Sequence, residues 1–169
     1  TGKENEDLKE WRELQTRWNQ FGCFIPLYRA HGQWPLREVF NIAPEDHPAY
    51  QSIVWYHQLR YRLMPYLYSM AGWVHLNDYT MMRALVMDYG SDRQVLNCPV
   101  SEYQARSRSV YFPSQQGWYD FYTGQYIQGG QRKEVDAPYE RIPVFVPEGS
   151  ILPFGPAMEW SDEKPAELI

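Results

Sequence analysis

Apolar residues recur at helical spacing in two parts of the chain. In the first part they stand three or four positions apart, with charged residues between them: Leu8, Trp11, Leu14 and Trp18. This pattern predicts an amphipathic helix. A second stripe follows Pro48 and consists of Ile53, Tyr56, Leu59, Leu63, Leu67 and Met70. Asp46 is a suitable N-cap and Gly72 a suitable terminator for this helix, while Pro65 is expected to kink it or split it in two.

Two other runs, residues 21–28 and 80–89, are almost continuously apolar. Such runs are typical of buried strands in a parallel sheet. The connection between the first run and the second helix, residues 29–47, is long, and long connections in compact domains are usually functional. The order helix, strand, long connection, helix, strand indicates a β/α barrel or a doubly wound sheet.

The pattern changes after about residue 92. Short strand candidates at 109–112, 118–122, 134–135 and 142–146 are separated by glycine and proline, which predicts strands joined by turns. We therefore expect residues 98–157 to form an all-β module, part of a sandwich. Two strands cannot close a parallel barrel, so the first half is incomplete and the chain is expected to be a piece of a larger protein.

Composition excludes several classes of function. Sixteen Lys and Arg against 21 Asp and Glu give a net charge of −5, which argues against nucleic acid because phosphate binding needs a basic face. The apolar runs are too short for a transmembrane helix. Cys23 and Cys98 are too few for a disulfide framework or a zinc site. The histidines at 47, 57 and 75 lack the spacing of metal ligands.

The long connection carries the main candidates for chemistry. His31 follows the first apolar run by three residues, where loops of parallel β/α folds build active sites. A histidine there can donate a hydrogen bond to a substrate hydroxyl or act as an acid or base; the alternative is a histidine held by backbone groups. Arg29 either pairs with a catalytic carboxylate or anchors the loop. Trp34 is a candidate for stacking on a sugar ring, in a chain with seven Trp and 14 Tyr.

Other polar and aromatic residues have simpler interpretations. Asp88 ends the second apolar run and would reach the same sheet edge, but we favour a cap or loop hydrogen bond over a catalytic role. Arg60, Arg62 and Arg83 interrupt apolar runs and predict buried or interfacial ion pairs. In the aromatic run 118–122 at least one ring is expected to face outwards, although core packing is favoured over sugar stacking.

Residues 17–32, which read RWNQFGCFIPLYRAHG, resemble glycoside hydrolase family 31. The family pattern is R-W-x-Q-x-G-A-F-x-P, then an aromatic-containing stretch and R-x-H. Similar stretches follow in the family's order at 59–68 (LRYRLMPYLY), 82–86, 118–124 (WYDFYTG) and 142–151. The family holds α-glucosidases, α-xylosidases and relatives, and residues 45–88 look most like bacterial α-xylosidases that act on xyloglucan-type side chains.

The resemblance implies a map of the chain. Residues 1–92 would be the last two β/α units of a (β/α)₈ TIM barrel, with 21–28 as strand seven and 80–89 as strand eight. Residues 93–169 would be the proximal C-terminal β-sandwich and a tail. His31 would contact hydroxyls of the sugar in subsite −1, and Arg29 and Trp34 complete the predicted substrate-binding residues.

The chain also departs from the family. Its members are retaining α-glycosidases with two catalytic aspartates, and both would precede Thr1. No residue of this chain is therefore assigned a catalytic role. The family also carries a stretch similar to I-G-D-Q-x-M-F-G at the position where Asn97 here runs directly into Cys98.

The sequence thus predicts a fragment of a retaining α-glycosidase that hydrolyses O-glycosidic bonds in oligo- and polysaccharides. An α-xylosidase ranks first and an α-glucosidase second. The resemblance implies a carbohydrate substrate and no metal or organic cofactor. The alternatives are a non-catalytic carbohydrate-binding or scaffold module and an inactive remnant. Oligomeric state, a homo-oligomer included, and compartment stay open, although xyloglucan-type substrates favour the periplasm or the outside of the cell.

Overall fold

The computed structural model describes residues 6–32, 34–92, 94, 103–158 and 163. Contacts divide the chain into a first unit, residues 1–82 with 152–169, and a second unit, residues 83–151. The helices are α1 (Glu6–Gly22), α2 (Val39–Ile42), α3 (Pro48–Arg62), α4 (Met64–Asn77) and α5 (Leu85–Asp88). The strands are β1 (Ser107–Phe112), β2 (Trp118–Asp120), β3 (Tyr126–Ile127), β4 (Gln131–Asp136) and β5 (Phe145–Pro147). The junction of Asn97 and Cys98 lies outside the described residues.

Helix α1 forms where the sequence predicts it, but it buries its polar face. Leu14 and Trp18 of the apolar stripe are 50% and 58% exposed. Thr16 and Gln20 are fully buried instead, and the Gln20 side-chain amide donates a hydrogen bond of 2.9 Å to Ser52 Oγ on α3. Burial of these polar groups is tolerated because they are hydrogen-bonded. Contact with α3 therefore selects the buried face of α1.

Pro65 splits the predicted helical stretch into two helices, α3 and α4, as predicted. Helix α3 ends at Arg62, and α4 begins at Met64 with the proline in its first turn, where a missing N–H costs nothing. The ends differ from the prediction by a few residues. His47, not Asp46, caps α3 through a 3.0 Å hydrogen bond from the Ala49 N–H to its Nδ1.

Helix α4 also continues past Gly72. It stops at Asp78, whose φ of +52° lies in the left-handed region, a conformation that aspartate tolerates better than most residues. Gly72 therefore stays within the helix and does not terminate it.

The two strands predicted for the first half are wrong for this structure. Residues 23–32 follow α1 as turns and extended chain, and the run 80–89 contains the single helical turn α5. A parallel strand forms only beside other parallel strands, and none of the described residues before Ser107 lies in a strand. Backbone groups of the second run pair locally, as in the 2.8 Å bond from the Tyr89 N–H to the Leu85 carbonyl.

The strands predicted for the second half are present, and β3 is an addition. β1 pairs antiparallel with β4, from Ser107 opposite Asp136 to Phe112 opposite Gln131. β2 lies between β3 and β5 in a second antiparallel sheet. Phe112 of one sheet and Trp118 and Ile127 of the other form one buried cluster. Side chains of both sheets thus share a core.

Candidate substrate-binding segment

The predicted site residues lie on one stretch of chain between α1 and α2, residues 23–37, which we call the site segment. The side chains of Arg29 and His31 are exposed, and Trp34 is 82% exposed. Within the described residues, no hydrogen bond or ring contact joins these three side chains to one another. The segment therefore presents all three side chains to solvent.

Arg60 of α3 holds the first part of the site segment. Its Nη1 donates to the carbonyls of Cys23, at 2.9 Å, and Ile25, and its Nη2 donates to the carbonyl of Pro26 at 2.9 Å. The guanidinium also lies 5.8 Å from the centre of the Tyr28 ring. A planar guanidinium with several N–H donors can serve three carbonyls at once. Arg60 thus supplies hydrogen bonds to main-chain groups where the sequence predicted a strand.

Tyr28 fixes the next point along the segment. Its hydroxyl donates to Asn19 Oδ1 at 3.0 Å, and its ring meets the His57 ring edge-on with centroids 5.3 Å apart. A Cβ on Gly22 would lie 2.7 Å from the Tyr28 ring, so the glycine of the family motif makes room for this aromatic side chain. Burial raises the pKa of Tyr28, which keeps its hydroxyl protonated as a donor.

Asn19 is the shared partner of two side chains from different elements. Its side-chain amide donates to the Gln15 carbonyl at 2.8 Å, which orients its Oδ1 towards Tyr28 and His57. The distance from His57 Nε2 to Asn19 Oδ1 is 3.4 Å. Burial lowers the pKa of His57, which favours the neutral ring beside the Arg60-bound segment.

Cys23 is a packing residue. Its side chain is fully buried, and burial raises the pKa of the thiol to about 12, against the opposing charge of Arg60. Because the thiolate is the nucleophilic form of cysteine, a thiol held protonated at neutral pH is unreactive.

Arg37 holds the far end of the segment. Its Nη1 donates to the carbonyl of His31, and its guanidinium occupies the space into which a side chain on Gly32 would project. The short stretch with Arg29 and His31 therefore lies between two arginine contacts, Arg60 on one side and Arg37 on the other. Sequence reasoning missed both contacts. The only signal for Arg60 was its place in a family-like motif.

The three arginines that interrupt apolar runs have structural roles. Arg83 forms an ion pair with Asp88, with Nη2 2.8 Å from the carboxylate, but the pair is exposed to solvent and not buried as predicted. The same contact gives Asp88 a local hydrogen bond from Arg83 Nε, in line with the loop hydrogen bond favoured for it. Within the described residues, Arg60 and Arg62 form no ion pair of the predicted kind. Both donate to backbone carbonyls instead, and Arg62 bonds to Gly155. Among the described residues there is no cluster of metal-ligating side chains. No helix in the described part of the chain is long and apolar enough to cross a membrane.

Motif residues of the second unit build turns. One carboxylate oxygen of Asp120 accepts from the N–H groups of Tyr122 and Thr123 and from the Thr123 hydroxyl, at 2.8–2.9 Å. Trp118 is 6% exposed and Tyr119 is 38% exposed, which confirms core packing for one ring and an outward orientation for another. The aspartate in WYDFYTG thus shapes a loop.

Two family models match the chain. The model described as the TIM-barrel domain of glycosyl hydrolase family 31 matches residues 3–70, and the C-terminal domain of the same family matches residues 78–152. An α-xylosidase from Saccharolobus solfataricus is 36% identical over 163 residues, 88% of this chain and 22% of that protein. α-Glucosidase 2 from Bacillus thermoamyloliquefaciens is 31% identical over 169 residues, 92% of this chain and 21% of that protein.

A solved structure extends this similarity to the fold. The crystal structure of an α-xylosidase from Xanthomonas citri superposes with a TM-score of 0.90 at 44% identity, over 99% of this chain and 20% of that one. The chain therefore spans about a fifth of the length of the relatives it matches. The matched models, the relatives and the shared motifs show that the chain belongs to glycoside hydrolase family 31.

Proposed function

We propose that these 169 residues act within a longer retaining α-glycosidase and contribute part of its sugar-binding site. An α-xyloside is the first candidate substrate and an α-glucoside the second. The observation that carries the proposal is the site segment itself. It exposes Arg29, His31 and Trp34 while its main chain is held by two arginines, and its sequence follows the family motif. The similarity to α-xylosidases at 36% and 44% identity supports the order of substrates.

The proposed architecture assigns residues 1–92 to the last two units of the TIM barrel and residues 93–169 to the C-terminal β-sandwich with its tail. The order of the two matched ranges, barrel model first and C-terminal model second, supports two parts in this sequence, and the C-terminal match begins at residue 78, before the proposed boundary. The shared core of the two sheets supports a separate second part. In the longer polypeptide, neighbouring strands would supply hydrogen-bonding partners for the run 80–89 and for the backbone groups of 21–28 that Arg60 does not bind. The exposure of Val86 and Met87 in the second run agrees with a missing neighbour.

Retaining hydrolysis needs two carboxyl groups. One attacks the anomeric carbon and forms a glycosyl-enzyme intermediate, while the other protonates the leaving oxygen and later activates water. None of the aspartates of this chain is assigned to either role. The contribution of this chain is binding: His31 would donate a hydrogen bond to a sugar hydroxyl, and this bond strengthens as charge develops at the transition state.

Arg29 and Trp34 would bind other parts of the ligand. The Arg29 guanidinium would pair with a carboxylate of the site, and the Trp34 indole would cover an apolar sugar face. The non-catalytic module is not favoured, because the segment lies within the range matched by the catalytic barrel model.

The test compares hydrolysis of para-nitrophenyl α-D-xyloside and α-D-glucoside by the complete polypeptide in which these residues occur. We expect the xyloside to be preferred, and His31→Ala to lower kcat/KM by about 10²-fold, the usual effect of removing one transition-state hydrogen bond. His75→Ala is the matched control, since His75 is exposed near the end of α4, and it should leave kcat/KM unchanged. Absence of both hydrolysis and sugar binding, or an equal loss in His75→Ala, would refute the proposal.

A further inference from the structure

Four main-chain carbonyls of the site segment accept hydrogen bonds from arginine side chains. Arg60 reaches the carbonyls of Cys23, Ile25 and Pro26, and Arg37 reaches that of His31. Both arginines are half-buried. Arg60 lies on α3, and Arg37 lies at the end of the site segment itself, five residues beyond the stretch 23–32 that carries the four carbonyls. Contacts of this kind fix the path of the backbone, and thereby the points from which Arg29 and His31 project.

The arrangement depends on guanidinium geometry. Three carbonyls converge on one side chain, and a guanidinium can donate to them at once because its N–H groups diverge within a single plane. A lysine ammonium at the same place carries the same charge but is a compact point donor on a flexible stem. Replacement of Arg60 by lysine therefore keeps the charge and removes the simultaneous contacts.

We propose that Arg60 and Arg37 are positioning residues that hold His31 in the geometry required for sugar binding. This inference rests on the proposed glycosidase function. Neither arginine touches the sugar in this scheme; both act through the backbone that carries His31. A displacement of about 1 Å in a binding group can cost about 10²-fold in rate, so loss of the Arg60 contacts should be visible in catalysis.

The test is a double-mutant cycle on the complete polypeptide, with para-nitrophenyl α-D-xyloside as the probe. Arg60→Lys is combined with His31→Ala, and kcat/KM is measured for the parent, both single variants and the double variant. Arg37→Lys is combined with His31→Ala in the same way. Arg62→Lys is the matched control, because Arg62 lies two positions further along α3 and bonds to Gly155 instead of the site segment. Thermal unfolding of every variant accompanies the kinetics.

If the arginines act through His31, Arg60→Lys lowers kcat/KM by about 10²-fold in the parent and by less than about 3-fold in the His31→Ala background. Arg37→Lys should follow the same pattern, and Arg62→Lys should behave as the parent. An equal loss in both backgrounds would mean that Arg60 only stabilises the fold, and it would overturn the inference. So would full activity of both arginine variants. A parent that neither binds nor hydrolyses α-glycosides would refute the proposed function itself, a result distinct from an additive cycle in an active parent.

Discussion

The two units satisfy their backbone hydrogen-bonding groups in different ways. In the described part of the second unit, the five strands fall between Ser107 and Pro147, and each pairs antiparallel with a neighbour inside that range. In the first unit the apolar run 21–28 has no strand beside it among the described residues, and Arg60 donates to its carbonyls. Antiparallel sheets can be completed by adjacent chain, whereas a parallel strand needs partners from distant segments. The comparison shows that adjacent segments of the sequence can complete the antiparallel sheets, whereas the run 21–28 needs hydrogen-bonding groups from distant segments.

The largest expected effect concerns the locally completed unit. Trp118→Ala removes a buried ring whose centroid lies 6.2 Å from that of Phe112 and whose Nε1 donates to the Pro113 carbonyl at 3.2 Å. We expect a loss of about 3–5 kcal/mol in the free energy of unfolding, measured by denaturant titration. Tyr119→Ala, at the exposed adjacent position, should cost less than about 1 kcal/mol. Equal losses would show that this core does not stabilise the unit.

The second prediction tests the contacts that Arg60 makes with the site segment. Arg60→Ala should lower the free energy of unfolding by about 1–3 kcal/mol, because it leaves carbonyls of the site segment without their donor. Cys23 should also react faster with a thiol reagent as the segment loosens. Arg62→Ala is the control and should leave the labelling rate of Cys23 unchanged. Unaltered labelling in Arg60→Ala would contradict the assigned contact.

A third prediction uses pH. The folded-state pKa of Cys23, about 12, lies above the 9.0 of a free thiol, so folding favours the protonated form. Its contribution to stability is fully present below about pH 9 and is lost as the pH rises towards 12. The raised pKa of Tyr28 acts in the same direction. Unfolding free energies should therefore fall in this window, and Cys23→Ala should flatten the decline. An unchanged slope in Cys23→Ala would exclude the thiol as a cause.

The smallest effect is expected at the ion pair of Arg83 and Asp88. Both groups reach solvent, and exposed pairs contribute about 0–1 kcal/mol. Asp88→Asn should therefore shift the free energy of unfolding by less than about 1 kcal/mol, and the shift should shrink as the salt concentration rises. A larger, salt-independent loss would indicate that Asp88 has another role in the second run.

Local signals in the sequence were sufficient for much of the fold. The helical stripe of α1, the split at Pro65 and four of the five strands follow from periodicity, proline chemistry and turn residues, all of which act over a few positions. The buried face of α1 was not predictable in this way. Gln20 is buried because Ser52, 32 residues away, accepts its hydrogen bond.

The same distinction between local and long-range signals applies to the candidate site. His31 and Arg29 could be chosen from their place after an apolar run and from the family motif. The contacts of Arg60 and Arg37 could not, because they depend on where the backbone of another segment lies in space. For the same reason the runs 21–28 and 80–89 suggested strands: an apolar run records a preference for burial, not the presence of the neighbours that bury it.

Attachment through the main chain has a consequence for protein engineering. Leu27 and Ala30 lie between the two arginine contacts, both are exposed, and the anchoring hydrogen bonds do not involve their side chains. Variation at these two positions should therefore alter the surface offered to a sugar while the backbone path is preserved. A variant library at positions 27 and 30 that keeps Arg60, Arg37, Gly22 and Gly32 is therefore a compact way to search for altered substrate preference.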